Sequence, residues 1–431
     1  MTIVILAYIG QIEEIERPRW PEIEPKVEQM RGKLLCAAFF WHNHPVNAHA
    51  LYLHIPFCRQ RCSYCDFNTY TSVGELKETY TAALIREIRQ VGAAAEHRPA
   101  VGTIFFGGGT PSLLSPQQLA RILSAVHESF AVAPAAEVTL EANPGTVDPD
   151  YLATIRGLGI NRLSYGVQSA LPGELELLGR EHDFAAAVEA VVLARAAGFD
   201  NLNIDLIYGL PGQTVKDWAR TLDAARPLPV DHVSLYCLTI EPGTPMQRWL
   251  HNGTIHAPDP DIAADQYELA GQVIGAMGFR HYEISNWAKP GHECRHNLVY
   301  WRNEPYLGLG AGAHGSAAGY RYQVVRQPRT YIRRMEQPAT GPFPLSAAVA
   351  DYHLVGEVEA MSDIAITQLR LLGEGLDLVA FAERFGRGFD EVYGETVSQL
   401  LSWELLRRDN GRLLLTEKGR FLSNQVFYRF V

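Results

Sequence analysis

Alternating apolar and polar positions recur along residues 50–240 and predict a series of β-strands. Stretches rich in Ala and Leu with a helical period separate them, such as 75–91, 116–130 and 184–197. Regular alternation of strands and helices is typical of a parallel sheet with helices outside, and six units suit a partial, open (β/α)6 barrel of the TIM type. The predicted strands cover residues 51–56, 102–107, 137–141, 162–167, 201–207 and 232–238.

Each predicted strand pairs an apolar face with a more polar one. In the first strand, Leu51, Leu53 and Ile55 share one face, whereas Tyr52 and His54 share the other. We therefore expect apolar faces against the helices and polar faces toward a lumen. The polar residues that end their strands on the lumenal face are Glu141, Gln168 and Asp205.

The pattern changes at about residue 345, where helices rich in Leu and Glu replace the strand–helix alternation. Within 402–422, a helix, an Asp-Asn-Gly turn and a Leu-rich strand predict a winged-helix-like module, for which packing or acceptor docking is a commoner role than DNA binding. The predicted organisation is an N-terminal extension, for which disorder is one expectation, then the barrel, a barrel-completing region and a C-terminal helical, winged-helix-like domain. Their ranges are 1–48, 49–245, 246–345 and 346–431.

The composition excludes some functions. A formal net charge of −10 argues against broad binding to nucleic acid or anionic membranes. Six cysteines are too few for a disulfide framework in 431 residues, so we expect a cytoplasmic protein. No stretch of about 18 uninterrupted apolar residues predicts a transmembrane helix, which leaves only peripheral membrane contact open. We expect His42, His44 and His49 to be surface or linker residues.

A cysteine-rich loop follows the first predicted strand. Cys58, Cys62 and Cys65 have the spacing C-x3-C-x2-C. Three thiolates this close can hold three irons of a cubane cluster, and the fourth iron is then open to a small-molecule ligand. A structural zinc site completed by His54 or Asp66 is the alternative.

A glycine run, 107–109, ends the second predicted strand and is followed by Thr110 and Pro111. A backbone without side chains can approach a ligand and direct N–H groups at it. A plain tight turn is the alternative. The run lacks the G-x-G-x-x-G spacing, so dinucleotide binding is not indicated.

Several motifs in order make residues 51–315 resemble the coproporphyrinogen III oxidase-like branch of the radical S-adenosylmethionine (SAM) superfamily. Besides the cysteine loop and G-G-G-T-P, they are E-A-N-P (141–144), G-V-Q-S (166–169), L-G-R-x-H (178–182) and N-I-D-L-I-Y-G-L-P-G-Q (203–213). The resemblance implies a [4Fe-4S] cluster on the three cysteines and a bound SAM. The implied SAM contacts are Tyr52, Tyr64, Gly108, Gly109, Thr110, Glu141, Gln168, Arg180 and Asp205.

Two features distinguish members of this branch. The oxygen-independent oxidase has a further Cys two residues after the third cluster Cys, where this chain has Phe67. The segment H-N-L-V-Y-W (296–301) resembles the heme-binding signature H-N-x-x-Y-W of the HemW family of heme chaperones. The resemblance implies heme ligation by His296, with Cys294 as a weaker candidate. The implied heme-binding residues are His296, Asn297, Tyr300 and Trp301.

The sequence therefore leads us to expect a heme chaperone that passes heme to an acceptor hemoprotein such as a cytochrome. The alternative is an oxygen-independent coproporphyrinogen III oxidase, a radical SAM decarboxylase of porphyrin biosynthesis. A third class, RNA-modifying radical SAM enzymes, is disfavoured by the acidic charge and the lack of a basic, aromatic-rich tail.

Overall fold

The computed structural model describes residues 48–339 and 341–431. The predictions for the N-terminal extension, including His42 and His44, lie outside this part of the chain. His49 begins the first strand, and its Nδ1 lies 3.3 Å from the carbonyl oxygen of Ala100. None of the helices in the described ranges is long and apolar enough to cross a bilayer.

One twelve-stranded sheet dominates the fold. Strands β1 to β6 are parallel neighbours in chain order, and β9 joins β1 in parallel at the other side. Antiparallel strands extend both ends, so the barrel stays open. The strands are β1 (His49–Ile55), β2 (Ala100–Gly108), β3 (Ala131–Ala142), β4 (Arg162–Gln168), β5 (Leu202–Tyr208), β6 (His232–Cys237), β7 (Arg280–Glu283), β8 (Asn286–Ala288), β9 (Tyr306–Leu309), β10 (His314–Ala317), β11 (Tyr320–Val324) and β12 (Val349–Leu354).

Helices cover the outer face of this sheet. Ser115 and Gln118 form a capping box at the start of the second of them. The helices up to residue 334 are α1 (Lys77–Ala94), α2 (Pro116–Ser129), α3 (Pro149–Gly157), α4 (Pro172–Leu177), α5 (Phe184–Ala196), α6 (Val215–Ala225), α7 (Pro245–His251), α8 (Pro260–Ala276), α9 (Arg295–Trp301) and α10 (Pro328–Arg334).

The predicted partial barrel is confirmed, because all six predicted strands are present in the predicted order. Leu51 and Leu53 pack with Leu84 and Ile88 of α1 in one core, and all four are fully buried. Each such side chain contributes about 1.5–3 kcal/mol by leaving water. The third strand begins earlier than predicted, at Ala131, because residues 131–132 pair with β2 before a register shift.

The C-terminal region has a core of its own and a small antiparallel sheet in the order β13, β15, β14. The predicted turn is present between the last two strands, with Asn410 at φ 47° and Gly411 at φ 75°. The winged-helix-like prediction is therefore confirmed. Its elements are α11 (Glu357–Gln368), β13 (Leu376–Asp377), α12 (Leu378–Phe385), α13 (Phe389–Ser402), β14 (Leu406–Asp409), β15 (Arg412–Leu415), α14 (Glu417–Phe421) and α15 (Ser423–Phe427).

Candidate iron–sulfur and heme site

The cysteine loop lies at the C-terminal ends of the parallel strands and is held from two sides. Cys58 N donates to Tyr70 O at 3.1 Å, which ties the start of the loop to its end. In the middle of the loop, Ser63 donates from N and from Oγ to the carbonyls of Leu178 and Leu177 at 3.1 and 2.6 Å. These contacts fix the loop over the mouth of the barrel.

Each cysteine sulfur has a polar neighbour. Arg180 Nη1 donates to Cys62 Sγ at 3.2 Å, and the Thr110 hydroxyl donates to Cys58 Sγ at 3.7 Å. Thr69 Oγ1 lies 3.9 Å from Cys65 Sγ. Hydrogen bonds to sulfur stabilise thiolates and tune the potential of a cluster that they ligate.

Burial makes the free thiols weak acids. It raises the pKa of Cys58 and, with the neighbouring Cys62, raises the pKa of Cys65 to about 11. These groups therefore stay protonated at neutral pH until a cation displaces the proton, which is the behaviour of metal-ligating cysteines. The three sulfurs beside one cation and two hydroxyls fit a cubane cluster.

The zinc alternative requires at least three ligands that converge on one ion. Among residues 48–339 and 341–431, no group of three or more His, Cys, Asp or Glu side chains is arranged to hold a single metal ion. In a cubane, each cysteine binds a different iron, so its sulfurs need not converge.

The glycine run packs more tightly than we predicted. Gly108 has φ 115°, and a Cβ there would lie 2.5 Å from the His54 ring. Its N–H donates to Glu141 Oε2 at 3.1 Å, while the N–H groups of Gly109 and Thr110 donate to carbonyls of the β1 end and the cysteine loop. The expectation that these N–H groups point at a ligand is wrong, because neighbouring segments already accept them.

The polar ends of β3, β4 and β5 lie together on the lumenal side. Asp205 accepts from Asn203 at 2.9 Å, and burial raises the pKa of both Asp205 and Glu141. Gln168 is buried at φ 70°, and its Oε1 finds no hydrogen-bond partner in the described part of the chain. A buried orphan acceptor of this kind fits a ligand that donates a hydrogen bond, as a ribose hydroxyl does.

A cavity of about 470 Å³ opens beside Cys62. Of the predicted SAM contacts, Thr110 and Arg180 line it. Asn143, which sequence reasoning missed, joins them, because it accepts from Arg180 at 2.7 Å and donates to Thr110 at 3.1 Å. Asn143 belongs to the E-A-N-P motif, of which only Glu141 was predicted to contact SAM.

The other predicted SAM contacts lie away from this cavity. Tyr52 is buried in the lumen, with its hydroxyl 2.9 Å from His54 Nδ1. Tyr64 lines a second cavity, on the Cys65 side of the loop. The predicted set is thus distributed: Thr110 and Arg180 line the cavity beside Cys62, Tyr64 lines the second cavity, and Tyr52 lies in the lumen.

The proposed heme-binding residues lie at the opposite, N-terminal end of the barrel, on α9. His296 is fully buried; its Nδ1 lies 2.8 Å from Thr103 Oγ1 and its Nε2 lies 3.0 Å from Tyr300 Oη. The carboxylate of Glu137 accepts from the N–H groups of Arg295 and His296, both at 3.0 Å, and so caps the helix. Burial, with Arg162, lowers the pKa of His296 to about 3, which keeps the ring neutral.

The other three proposed heme-binding residues are also buried. Asn297, Tyr300 and Trp301 are all less than 10% exposed. Arg370 stacks on the Trp301 ring at 4.4 Å, which ties α9 to the C-terminal domain. Cys294 is fully buried and its pKa is raised to about 12, mainly by burial, so it is a poorer heme ligand than a neutral imidazole.

A three-cysteine loop at the mouth of a partial parallel barrel defines a radical SAM protein. In agreement, residues 52–225 match the model of the Radical SAM superfamily, and residues 357–422 match the HemN C-terminal domain. The chain is also similar to the solved structure of coproporphyrinogen III oxidase (HemN) from Escherichia coli, described as a radical SAM enzyme. That match has 25% identity and a TM-score of 0.78, and covers 91% of this chain and 92% of the other.

Similar sequences identify the family within the radical SAM superfamily to which the chain belongs. The chain is 41% identical to the heme chaperone HemW of Mycobacterium tuberculosis, over 89% of this chain and 94% of the relative. It is 35% identical to the heme chaperone HemW of Bacillus subtilis, over 88% and 98%. The chain belongs to the HemW family of heme chaperones.

Proposed function

We propose that this protein binds heme together with a SAM-liganded [4Fe-4S] cluster and transfers the heme to acceptor hemoproteins. The proposal rests on the sequence similarity to heme chaperones, which extends over 88–89% of the chain, together with the three-cysteine loop. The formal net charge of −10 argues against broad nucleic-acid binding, and we propose a cytoplasmic location.

Cys58, Cys62 and Cys65 would hold the cluster. When it is bound, the cluster supplies one iron without a cysteine ligand, where the amino and carboxylate groups of SAM can chelate. Around it, Arg180 provides a half-buried cation for a carboxylate, and Gln168 and Glu141 provide acceptors for ribose hydroxyls. Tyr52, Tyr64, Gly108, Gly109, Thr110 and Asp205 complete the proposed SAM set.

Heme would be bound by His296, with Asn297, Tyr300 and Trp301 around it. Because both ring nitrogens of His296 already contact Thr103 and Tyr300, ligation requires α9 to withdraw from the barrel end. The bonds that resist this movement are those to Thr103, the Glu137 cap and the Arg370 stack on Trp301. In this proposal, heme binding is gated by the opening of one short helix.

An anaerobic hemin titration of the cluster-loaded protein tests this function. We expect wild type to give the absorption and EPR spectra of histidine-ligated heme, and His296→Ala to lose that signature. His256→Ala, at an exposed histidine outside the motif, is the matched control and should behave as wild type. A histidine-ligated spectrum that persists in His296→Ala would contradict the assignment of the ligand.

A further inference from the structure

A chain of hydrogen bonds crosses the barrel lumen between Asp205, in the proposed SAM set, and α9, the helix of the H-N-x-x-Y-W segment. Asn203 Nδ2 donates to Asp205 Oδ1 at 2.9 Å, and Asn203 Oδ1 lies 2.6 Å from His232 Nδ1. The other ring nitrogen of His232, Nε2, lies 2.8 Å from Tyr282 Oη. That hydroxyl accepts at 3.4 Å from the N–H of Cys294, the residue at which α9 begins. The chain therefore joins the two ends of the barrel.

The direction of every bond in this chain follows from the neighbours of each group. Because the amide nitrogen of Asn203 donates to Asp205, its Oδ1 accepts, and Nδ1 of His232 must carry the proton. Burial holds the pKa of His232 well below its ordinary value, so the ring is neutral and its Nε2 accepts from the Tyr282 hydroxyl. All four bonds thus point from α9 toward the carboxyl group of Asp205. Hydrogen bonds aligned in this way polarise and strengthen one another.

The fold places each member of the chain. Asn203 and His232 lie directly opposite each other in β5 and β6, and both are buried. Tyr282 lies at a register shift between β7 and β8, and irregularities of this kind redirect a side chain. Its ring packs edge-on against His232, with 5.6 Å between the ring centroids. The irregular strand therefore holds one hydroxyl between the sheet and the residue that begins α9.

We propose that Tyr282 and His232 are positioning residues that couple the SAM site to the opening of α9. The inference rests on the proposed function and adds a connection between its two sites. When Asp205 accepts a hydrogen bond from bound SAM, its charge is shared, so the chain that ends on it weakens and α9 is released more readily. Conversely, withdrawal of α9 takes the N–H of Cys294 away from Tyr282 and leaves Asp205 more available to a ligand. Because coupling between two binding equilibria is reciprocal, each ligand should tighten the other by the same factor.

Paired titrations of the cluster-loaded full chain measure this coupling. Hemin would be titrated anaerobically with and without saturating SAM, and without a reductant, so that SAM stays intact. For wild type we expect SAM to lower the Kd of hemin about fivefold. Calorimetry with and without saturating hemin should show the Kd of SAM lowered by the same factor.

Two variants interrupt the chain. Tyr282→Phe removes the hydroxyl but keeps the ring, and we expect it to bind both ligands with a hemin Kd that no longer depends on SAM. His232→Leu removes both ring nitrogens and should give the same result. The double variant should lose no more coupling than either single variant, because the two residues act in one chain. Circular dichroism would confirm that the variants fold.

Tyr151→Phe is the matched control. It also loses one tyrosine hydroxyl, which donates to Leu114 O at 3.2 Å, but it lies on the outer helix α3 and should keep the wild-type coupling.

Three results would overturn the inference. The first is independent binding of the two ligands by wild type, which would leave the proposed function intact. The second is a fivefold effect that persists in both Tyr282→Phe and His232→Leu, even with both affinities altered, because a merely structural role gives this pattern. The third is a wild type without histidine-ligated hemin, which would refute the ligand assigned in the proposed function and the coupling with it.

Discussion

The Nδ1 atom of His296 lies 2.8 Å from the hydroxyl of Thr103, although 193 residues separate them in the chain. This contact places the proposed heme ligand inside the barrel end, facing β2, with its ring centroid 5.0 Å from that of the tilted Phe105 ring. Both ring nitrogens are engaged, so the availability of His296 to heme is set by the equilibrium between closed and open α9.

Weakening the helix cap should make heme binding faster. Glu137→Gln keeps the size of the side chain but removes the charge that accepts from Arg295 and His296. We expect a loss of about 1–2 kcal/mol in the free energy of unfolding and a hemin association rate raised about fivefold. Thermal denaturation and stopped-flow absorption measure the two effects. Glu128→Gln, in an exposed ion pair, is the control. If Glu137→Gln is destabilised but binds hemin at an unchanged or slower rate, opening of α9 does not gate heme binding.

The cluster should depend on the loop cysteines and respond to Arg180. Cys62→Ser should fail to retain a complete [4Fe-4S] cluster after anaerobic reconstitution, as iron and sulfide analysis would show. Arg180→Gln should keep the iron but lower the reduction potential, because the cationic N–H donor to Cys62 Sγ at 3.2 Å is lost. An EPR-monitored redox titration measures this shift. Stoichiometric zinc in the wild-type protein would oppose the assignment.

SAM binding should depend on Gln168. Gln168→Gly removes the orphan acceptor, and glycine accommodates φ 70° without strain. We expect about tenfold weaker SAM binding by anaerobic calorimetry, with little change in stability. Ala318→Gly, another residue at positive φ (51°), controls for the backbone effect. Equal affinity in wild type and Gln168→Gly would remove this residue from the SAM site.

Acid should destabilise the fold through its buried histidines. Burial lowers the pKa of His54 to about 4 and of His281 and His296 to about 3. The unfolded chain takes up these protons below about pH 6.5, whereas the folded chain does not. The contribution of these histidines to the free energy of unfolding is therefore fully present above about pH 6.5 and is lost as the pH drops toward 3. The loss is about 2 kcal/mol per histidine between pH 7 and 5.

The variant His296→Gln isolates one of these contributions. Its free energy of unfolding should depend less steeply on pH between 7 and 5 than that of wild type. The comparison also removes the effect of buried carboxyl groups such as Glu141, whose raised pKa acts in the opposite direction. Identical pH slopes for the two proteins would show that His296 is not buried as a neutral ring.

The barrel could be predicted because its signals are local. Alternation along each strand and capping residues such as Ser115 are readable within a few positions, and the observed elements follow them. The early start of β3 could not be predicted. Residues 131–132 join the sheet by pairing with β2, not because of an alternating pattern of their own. Their strand state depends on a neighbour distant in sequence.

The site was predictable in composition but not in arrangement. The motifs identified Cys58, Cys62, Cys65 and Arg180 as candidates, and the structure places all four at one end of the barrel. The burial of His296 at the other end was not readable, because it results from long-range contacts with Thr103 and β3. Likewise, the second cavity, on the Cys65 side of the loop, depends on how the C-terminal domain packs, which no local pattern encodes.

The most direct test of the central claim is an anaerobic assay of the cluster-loaded protein with SAM, a reductant and coproporphyrinogen III, followed by addition of hemin and an apo-cytochrome. Our account predicts that the coproporphyrinogen is recovered unchanged and that hemin is bound and then passed to the cytochrome. Decarboxylation of the propionate side chains to vinyl groups, without heme transfer, would contradict it.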